Sequence, residues 1–185
     1  MAMRETSTHS EVVYDGRLLE VRYDDVVRPD GSTGWREWVK HPSGVIVVPV
    51  REGADGRPEV VMIRQHRFAV GRAMEELPAG LLDIPGEDAS VAAARELREE
   101  TGLMASQWTD LGRYFSQSGF CTDQAHIFLA RGLTQGPQAL EEDERLEVFT
   151  TPLVEAIGRC REGETDARTL LALMLAREAL AEAGQ

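Results

Sequence analysis

Gly80-Leu-Leu-Asp-Ile-Pro-Gly-Glu87-Asp-Ala-Ser-Val-Ala-Ala-Ala-Arg95-Glu96-Leu-Arg-Glu99-Glu100-Thr-Gly102-Leu103 is the stretch on which the reading of this chain turns. A turn containing Pro85 and Gly86 leads into an alanine-rich run that carries Glu96, Glu99 and Glu100. Asp88 is suited to cap free backbone N–H groups, so the spacing predicts a helix that opens there. At a little under four residues per turn the three carboxylates fall on one helical face. Like charges at that spacing cost an isolated helix roughly 0.2–0.5 kcal/mol per pair. A hard divalent cation with a preference for oxygen ligands relieves that repulsion. Ala93, Ala94, Leu97 and Thr101 read as the opposite side, suited to packing on a sheet.

On either side of this helix the pattern is that of strands. Residues 1–10 are polar and read as a flexible tail. Glu11 to Val27 alternates apolar and polar residues, and Trp35 to Val39 returns after the turn signal at Asp30-Gly31-Ser32. Val45 to Val50 and Val60 to Phe68 read as strands separated by a loop rich in Gly, Asp and Pro. Glu75 to Pro85 reads as irregular. Trp108 to Phe115, Gln124 to Leu133 and Arg145 to Thr150 complete the strands. Pro152 opens a helix to about Arg161, and Asp166 to Glu182 is a long helix rich in Ala and Leu. Strands around one internal helix, closed by terminal helices, give an α+β chain, a sheet sandwiched between helices. Residues 11–185 read as a single domain.

Composition narrows the function. The 185 residues can bury one core, and 32 acids against 20 bases give a net charge of −12, which repels nucleic acid. The longest apolar runs are too short to span a bilayer. Two cysteines, Cys121 and Cys160, provide no disulfide framework, and the cytoplasm is the expected location. His41, His66 and His126 have no metal-like spacing and read as structural.

A lone Glu-x-x-Glu-Glu would be a solvated acidic helix. With Gly80, Glu87, Arg95, Gly102 and Leu103 in register, the segment resembles the Nudix box, found in hydrolases of nucleoside diphosphates linked to another moiety. Six residues separate Gly80 from Glu87 where the usual pattern has five. The extra residue lies in the turn before the helix and leaves the carboxylate spacing untouched. The resemblance implies the Nudix-type α/β/α sandwich, with a mixed sheet and N-terminal antiparallel strands. It extends from about residue 12 to 180. Arg36-Glu37-Trp38-Val39-Lys40-His41-Pro42, Ile63-Arg64-Gln65-His66-Arg67, Glu76-Leu77-Pro78-Ala79-Gly80, Ser118-Gly119-Phe120 and Gly163-Glu-Thr-Asp-Ala-Arg-Thr-Leu170 resemble ADP-ribose pyrophosphatases of that superfamily. Two departures stand out: Ser118 where that branch usually has proline, and Asp123 where a glutamate is frequent.

The resemblance implies roles. Glu96, Glu99 and Glu100, with the Ala79 carbonyl, would ligate two or three Mg²⁺ ions, or Mn²⁺ in their place, and Glu87 would support them from the helix entrance. Arg95 would hold these carboxylates by ion pairing. A glutamate beyond the box would be the general base, Glu144 first and Glu142 second. Arg67 would meet the diphosphate, with Arg64 either beside it or in a surface ion pair. Glu76 would bond the terminal ribose or anchor its loop. Arg36, Glu37 and Trp38 would hold adenine, Trp38 being equally readable as core, and Gly119, Phe120 and Asp123 would shape the ribose pocket. The implied activity is Mg²⁺-dependent hydrolysis of ADP-ribose to AMP and ribose 5-phosphate by a homodimer with exchanged N-terminal strands, residues 11–40 serving dimerisation and adenine binding. The alternatives are another nucleotide sugar or a dinucleotide as substrate, or a ligand-sensing relative without catalysis.

Overall fold

In the computed structural model, residues 3–140, 145–163 and 165–184 are described. The chain forms two compact units. The first comprises residues 1–43 and 115–124, and the second residues 44–114 and 125–185.

The first unit is built on an antiparallel sheet of β1 (Thr6–Asp15), β2 (Glu20–Val27) and β3 (Thr33–Lys40), in that order. Residues 6–10, expected as part of a flexible tail, are the first half of β1. Pairing from Thr6↔Val27 to Asp15↔Glu20 satisfies the backbone, the Ser7 hydroxyl donates to Asp24 at 2.8 Å, and the Thr8 hydroxyl donates to the Asp25 carbonyl at 3.2 Å. A polar sequence joins a sheet here because ladder bonds need no particular side chain. Every residue of β1 is exposed.

The second unit contains a mixed seven-stranded sheet. Its main path is β10 (Leu146–Pro152), β5 (Pro58–Arg67), β4 (Gly44–Glu52), β9 (Gln124–Gln135) and β8 (Leu103–Phe115). Strand β6 (Arg72–Glu76) pairs with β5, and β7 (Ala79–Leu81) pairs with β4. Strands β4 and β9 run parallel, whereas β4–β5, β5–β10 and β5–β6 are antiparallel. The stretch expected to be irregular thus holds β7 and the last two residues of β6.

Alternation along the central strands divides the core in two. Ile46, Val48, Val50, Val60 and Met62 face α2 (Leu153–Arg161) and α3 (Ala167–Glu182). Val45 and Val47 face α1 (Ala89–Thr101), where Ala92, Ala93 and Leu97 are buried. The expected α/β/α sandwich with a mixed sheet is therefore the observed architecture of this unit. Helix α1 opens at Asp88, whose carboxylate accepts from the Ser90 N–H at 2.8 Å. It closes at Gly102, whose φ of 73° suits glycine. Both cysteines are free thiols, and no helix among the described residues is long and apolar enough to cross a membrane.

Candidate active site

The carboxylate face of α1 is gathered around one cation. Arg95 forks onto Glu87 through Nε and Nη2, each at 3.2 Å. Its Nη1 donates to Glu96 at 2.7 Å and to Glu99 at 3.0 Å. These bonds, Glu87 first, hold the guanidinium well above its ordinary pKa against the opposing cost of partial burial. Glu100 is 2 % exposed and accepts the Ala79 backbone N–H at 2.9 Å. The Glu96 carboxylate lies against Gly80, where a Cβ would stand 2.0 Å from it.

The expected division of α1 into opposite faces needs a correction. Ala94 is exposed, whereas Glu96 and Glu100 are buried with Ala92, Ala93, Leu97 and Thr101. At about 100° per residue, Glu96 and Glu100 border the apolar stripe directly, and Ala94 falls on the far side. The acidic face is therefore half-embedded against β7 and not displayed to solvent.

Strand β5 sends its arginines to different faces. Arg67 and Gln65 share the α1 side with Ile63, and Glu76 is the cross-strand partner of Ile63. Glu76 accepts from Arg67 Nε at 2.9 and 3.0 Å, from Arg67 Nη2, and from Gln65 Nε2 at 3.1 Å. That bond to Glu76 raises the Arg67 pKa, burial opposes it, and the charges of Glu76, Glu100 and Asp166 add to the rise. Arg64 is one residue out of phase and lies on the α2–α3 side. It bonds Glu75 at 2.8 Å and Glu147 at 3.0 Å and stands 5.1 Å over the Phe149 ring. Arg159 shares both Glu75 and Phe149. Of the two expected arginines, Arg67 is bonded to Glu76 and feels the charge of Glu100 on α1, whereas Arg64 is bonded to Glu75 and Glu147.

Within the first unit, β3 and the 117–123 loop are bonded together. The Val39 N–H donates to the Phe120 carbonyl at 2.7 Å, and the Thr122 N–H to the Val39 carbonyl at 3.0 Å. The Trp38 indole N–H is taken by buried Asp24, and Arg22 lies 5.7 Å over its ring. Arg36 donates to Glu5 and to the Trp35 carbonyl. Glu37, Gly119 and Phe120 are exposed, and Asp123 is half-buried, 3.9 Å from His41. Glu142 and Glu144, the candidate bases, lie outside the described residues.

A family model described as the NUDIX domain matches residues 40–174. The chain belongs to the Nudix family. A second family model, described as the nucleoside diphosphate sugar hydrolase N-terminal domain, matches residues 5–39. The chain is 34 % identical over 172 residues to the methanol dehydrogenase activator of Bacillus methanolicus, covering 91 % of this chain and 90 % of that protein. It is 38 % identical over 157 residues to an ADP-ribose pyrophosphatase of Mycobacterium tuberculosis, covering 84 % and 74 % respectively. A crystal structure of an ADP compounds hydrolase superposes with a TM-score of 0.87 at 26 % identity, covering 100 % of this chain and 98 % of that one.

The donor set of this Nudix box suits a hard cation. Glu87, Glu96, Glu99 and Glu100 bring four carboxylates against the single charge of Arg95, and the surplus is negative. Among the described residues no three His, Cys, Asp or Glu side chains are converged on one ion position. The carboxylate oxygens instead meet Arg95 and Ala79, and ion binding would draw on lone pairs that these bonds leave over.

Sequence reasoning missed several supports of the Nudix box. Gln65 was legible only as Arg67's neighbour two residues away on a strand face. For Ala79, the visible bond is the N–H to Glu100, where the expectation concerned its carbonyl. The α1 C-terminus is closed by a distant segment: Ala139 N–H donates to the Glu99 carbonyl at 3.1 Å, and the Gln138 side chain donates to the Glu100 carbonyl.

Proposed function

We propose that this Nudix hydrolase cleaves the diphosphate of ADP-ribose to AMP and ribose 5-phosphate, using two or three Mg²⁺ ions, with Mn²⁺ as a substitute. The observation that carries the reading is the carboxylate face of α1 in one unit with Arg67, whose guanidinium is forked onto Glu76 and also feels the charge of Glu100. The similarity to an ADP-ribose pyrophosphatase supports the choice of substrate.

Glu96, Glu99 and Glu100 would hold the ions, with the Ala79 carbonyl as a further ligand. Divalent cations held there would supply positive charge to neutralise the diphosphate oxygens and to activate the attacking water. Arg67 presents Nη1, which has no partner among the described residues, to a phosphate oxygen. In the reaction, a water oxygen bonds to one phosphorus, the bridging P–O bond breaks on the other side, and the water proton passes to a base. Glu144 is the first candidate for that base and Glu142 the second. Their segment is flanked by Ala139, bonded to the last turn of α1, and by Leu146, paired with Gln65.

Adenine is assigned to Arg36, Glu37 and Trp38, and the ribose pocket to Gly119, Phe120 and Asp123. The exposed β1, with Val12, Val13 and Tyr14 uncovered, supports a homodimer that exchanges these strands. The acidic charge supports a setting free of nucleic acid, and the cytoplasm is the proposed location.

The deciding experiment is incubation with ADP-ribose and Mg²⁺ in ¹⁸O-labelled water. The expected result is AMP and ribose 5-phosphate, one of them labelled, with no turnover in the presence of a chelator. ADP-ribose ranking well below another nucleotide sugar or a dinucleotide would replace the substrate, and absence of all turnover would leave only a ligand-sensing role.

A further inference from the structure

Glu76 is 5 % exposed, yet both of its oxygens are occupied by side chains of one neighbouring strand. Arg67 reaches it through Nε and Nη2, the side-on fork of a guanidinium. Gln65 closes the other flank at 3.1 Å. The period of two on β5 makes this possible: Gln65 and Arg67 stand on one face, opposite the end of β6. A buried carboxylate already engaged by three N–H groups of two side chains, one of them shared between both oxygens, has little capacity left for a sugar hydroxyl. Its charge is matched by one guanidinium, whose Nη1 edge is left facing out of the fork.

Glu76 also begins the segment that builds the carboxylate cradle. Leu77, three residues before Gly80, is 1 % exposed and fixed in the core. The Pro78 carbonyl accepts from the Val47 N–H at 2.9 Å. Ala79 then donates to Glu100, and Gly80 gives room to Glu96. One rigid stretch therefore sets both the position of Arg67 and that of the α1 carboxylates.

We propose that Glu76, with Gln65, is a positioning residue that aims Arg67 at the diphosphate, and that it makes no contact with the terminal ribose. This rests on the hydrolase reading above and assigns the division of labour inside that site. A side-on fork leaves a guanidinium only one free edge, so the carboxylate determines where that edge points. Glutamine at position 76 would keep the volume but replace one acceptor oxygen with a donor that meets other donors.

A double-mutant cycle with chemical rescue tests this. Arg67→Ala is expected to lower kcat/KM about 10²-fold. Glu76→Gln is expected to cost a similar factor in the native background but less than about twofold in the Arg67→Ala background. Millimolar guanidinium should restore at least part of the Arg67→Ala activity, because Glu76 keeps its cradle, and should restore none in Arg67→Ala/Glu76→Gln. Gln65→Met, measured alongside with the thermal midpoint of each variant, separates aiming from folding: it should lower kcat/KM with the midpoint unchanged. An equal cost of Glu76→Gln in both backgrounds, or equal rescue of both, overturns the proposal and makes Glu76 a direct substrate ligand. Nitrogen-15 NMR of arginine Nε–H groups decides the matter without substrate. The Arg67 Nε–H should exchange slowly in the native protein and rapidly in Glu76→Gln, and fast exchange in the native protein overturns the bracket. Failure of the native protein to hydrolyse ADP-ribose sinks the hydrolase reading alone and leaves the NMR result standing.

Discussion

Replacing Gly80 by alanine isolates the contribution of one carboxylate to the site. Neither Gly80 nor Gly44 has a positive φ, so the argument at both positions is about space and not about backbone conformation. A Cβ on Gly80 would lie 2.0 Å from both Cδ and Oε1 of Glu96 and 2.4 Å from Oε2. Ordinary contact begins near 3.4 Å, so the carboxylate must retreat by about 1.4 Å. That movement breaks its 2.7 Å bond from Arg95 and removes it from the proposed ion-binding face. The obstacle is the end of a flexible side chain, and the pairing of Gly80 with Val45 need not change. Repacking costs about 1–3 kcal/mol, and the stiffer unfolded chain returns about 0.4–1 kcal/mol. The net loss should be about 1–2 kcal/mol, a fall of a few degrees in Tm for a chain of this size. A ligand misplaced by more than about 1 Å should cost about 10²-fold in kcat/KM and raise the Mg²⁺ concentration needed for half activity.

Gly44→Ala is the control. Its Cβ meets the Gly80 backbone oxygen at 2.7 Å, where no side chain can yield, so β4 and β7 must part. Thermal unfolding and Mg²⁺ titrations of turnover, run on both variants, should separate them: Gly80→Ala folded and nearly inactive, Gly44→Ala clearly less stable. Native kcat and Mg²⁺ dependence in Gly80→Ala would remove Glu96 from the site. Equal loss of stability in the two would refute the claim that the side chain gives way before the backbone.

Arg95→Met leaves Glu87, Glu96 and Glu99 without their shared cation, and should destabilise the protein by about 2–4 kcal/mol. Thermal melts with and without Mg²⁺ should show a larger metal-induced rise in Tm than in the native protein; an equal rise refutes the charge argument. Asp24 is held below the ordinary carboxylate pKa by the Trp38 indole first and the Ser7 hydroxyl second. Because the folded value is the lower one, its stabilisation is present above about pH 4 and fades as pH falls toward the folded value. Asp24→Asn should therefore flatten the acid limb of unfolding followed by tryptophan fluorescence, and an unchanged limb speaks against the assignment. Glu144→Gln should lower kcat by about 10²–10⁴-fold with Mg²⁺ affinity intact, and full activity there combined with loss in Glu142→Gln would move the base by two residues.

What could be read from the chain was whatever local spacing specifies. Asp88 marked the start of α1 because capping chemistry is contained in a few neighbouring residues. Val45 to Val50 and Val60 to Phe68 declared themselves as strands by their apolar β-branched runs. Strands β6 and β7 did not, because Glu75, Glu76 and Pro78 break any alternating pattern. Their strand character comes from β5 and β4, which supply ladder partners from elsewhere in the chain. The tail reading of residues 6–10 failed for the same reason, since β1 is held by β2 and not by its own composition. Arg64 and Arg67 looked equivalent three residues apart. Only the strand assignment, with its period of two, sends them to opposite sides of the sheet.

That separation bears on how the site tolerates its own charge. Burying Glu96 and Glu100 beside apolar residues is costly unless cations compensate. Arg95 does so from within the helix, and Arg67 does so from the sheet through its field at Glu100. Were Arg64 on the same side, the face would approach neutrality and its attraction for divalent ions would weaken. Instead Arg64 is spent on Glu75 and Glu147 across the sheet. The face is left acidic, and on the proposed reading it would hold metal while the free edge of Arg67 would receive phosphate. An anionic substrate and its cations would then need each other to bind here, which would tie occupancy of the site to the arrival of both.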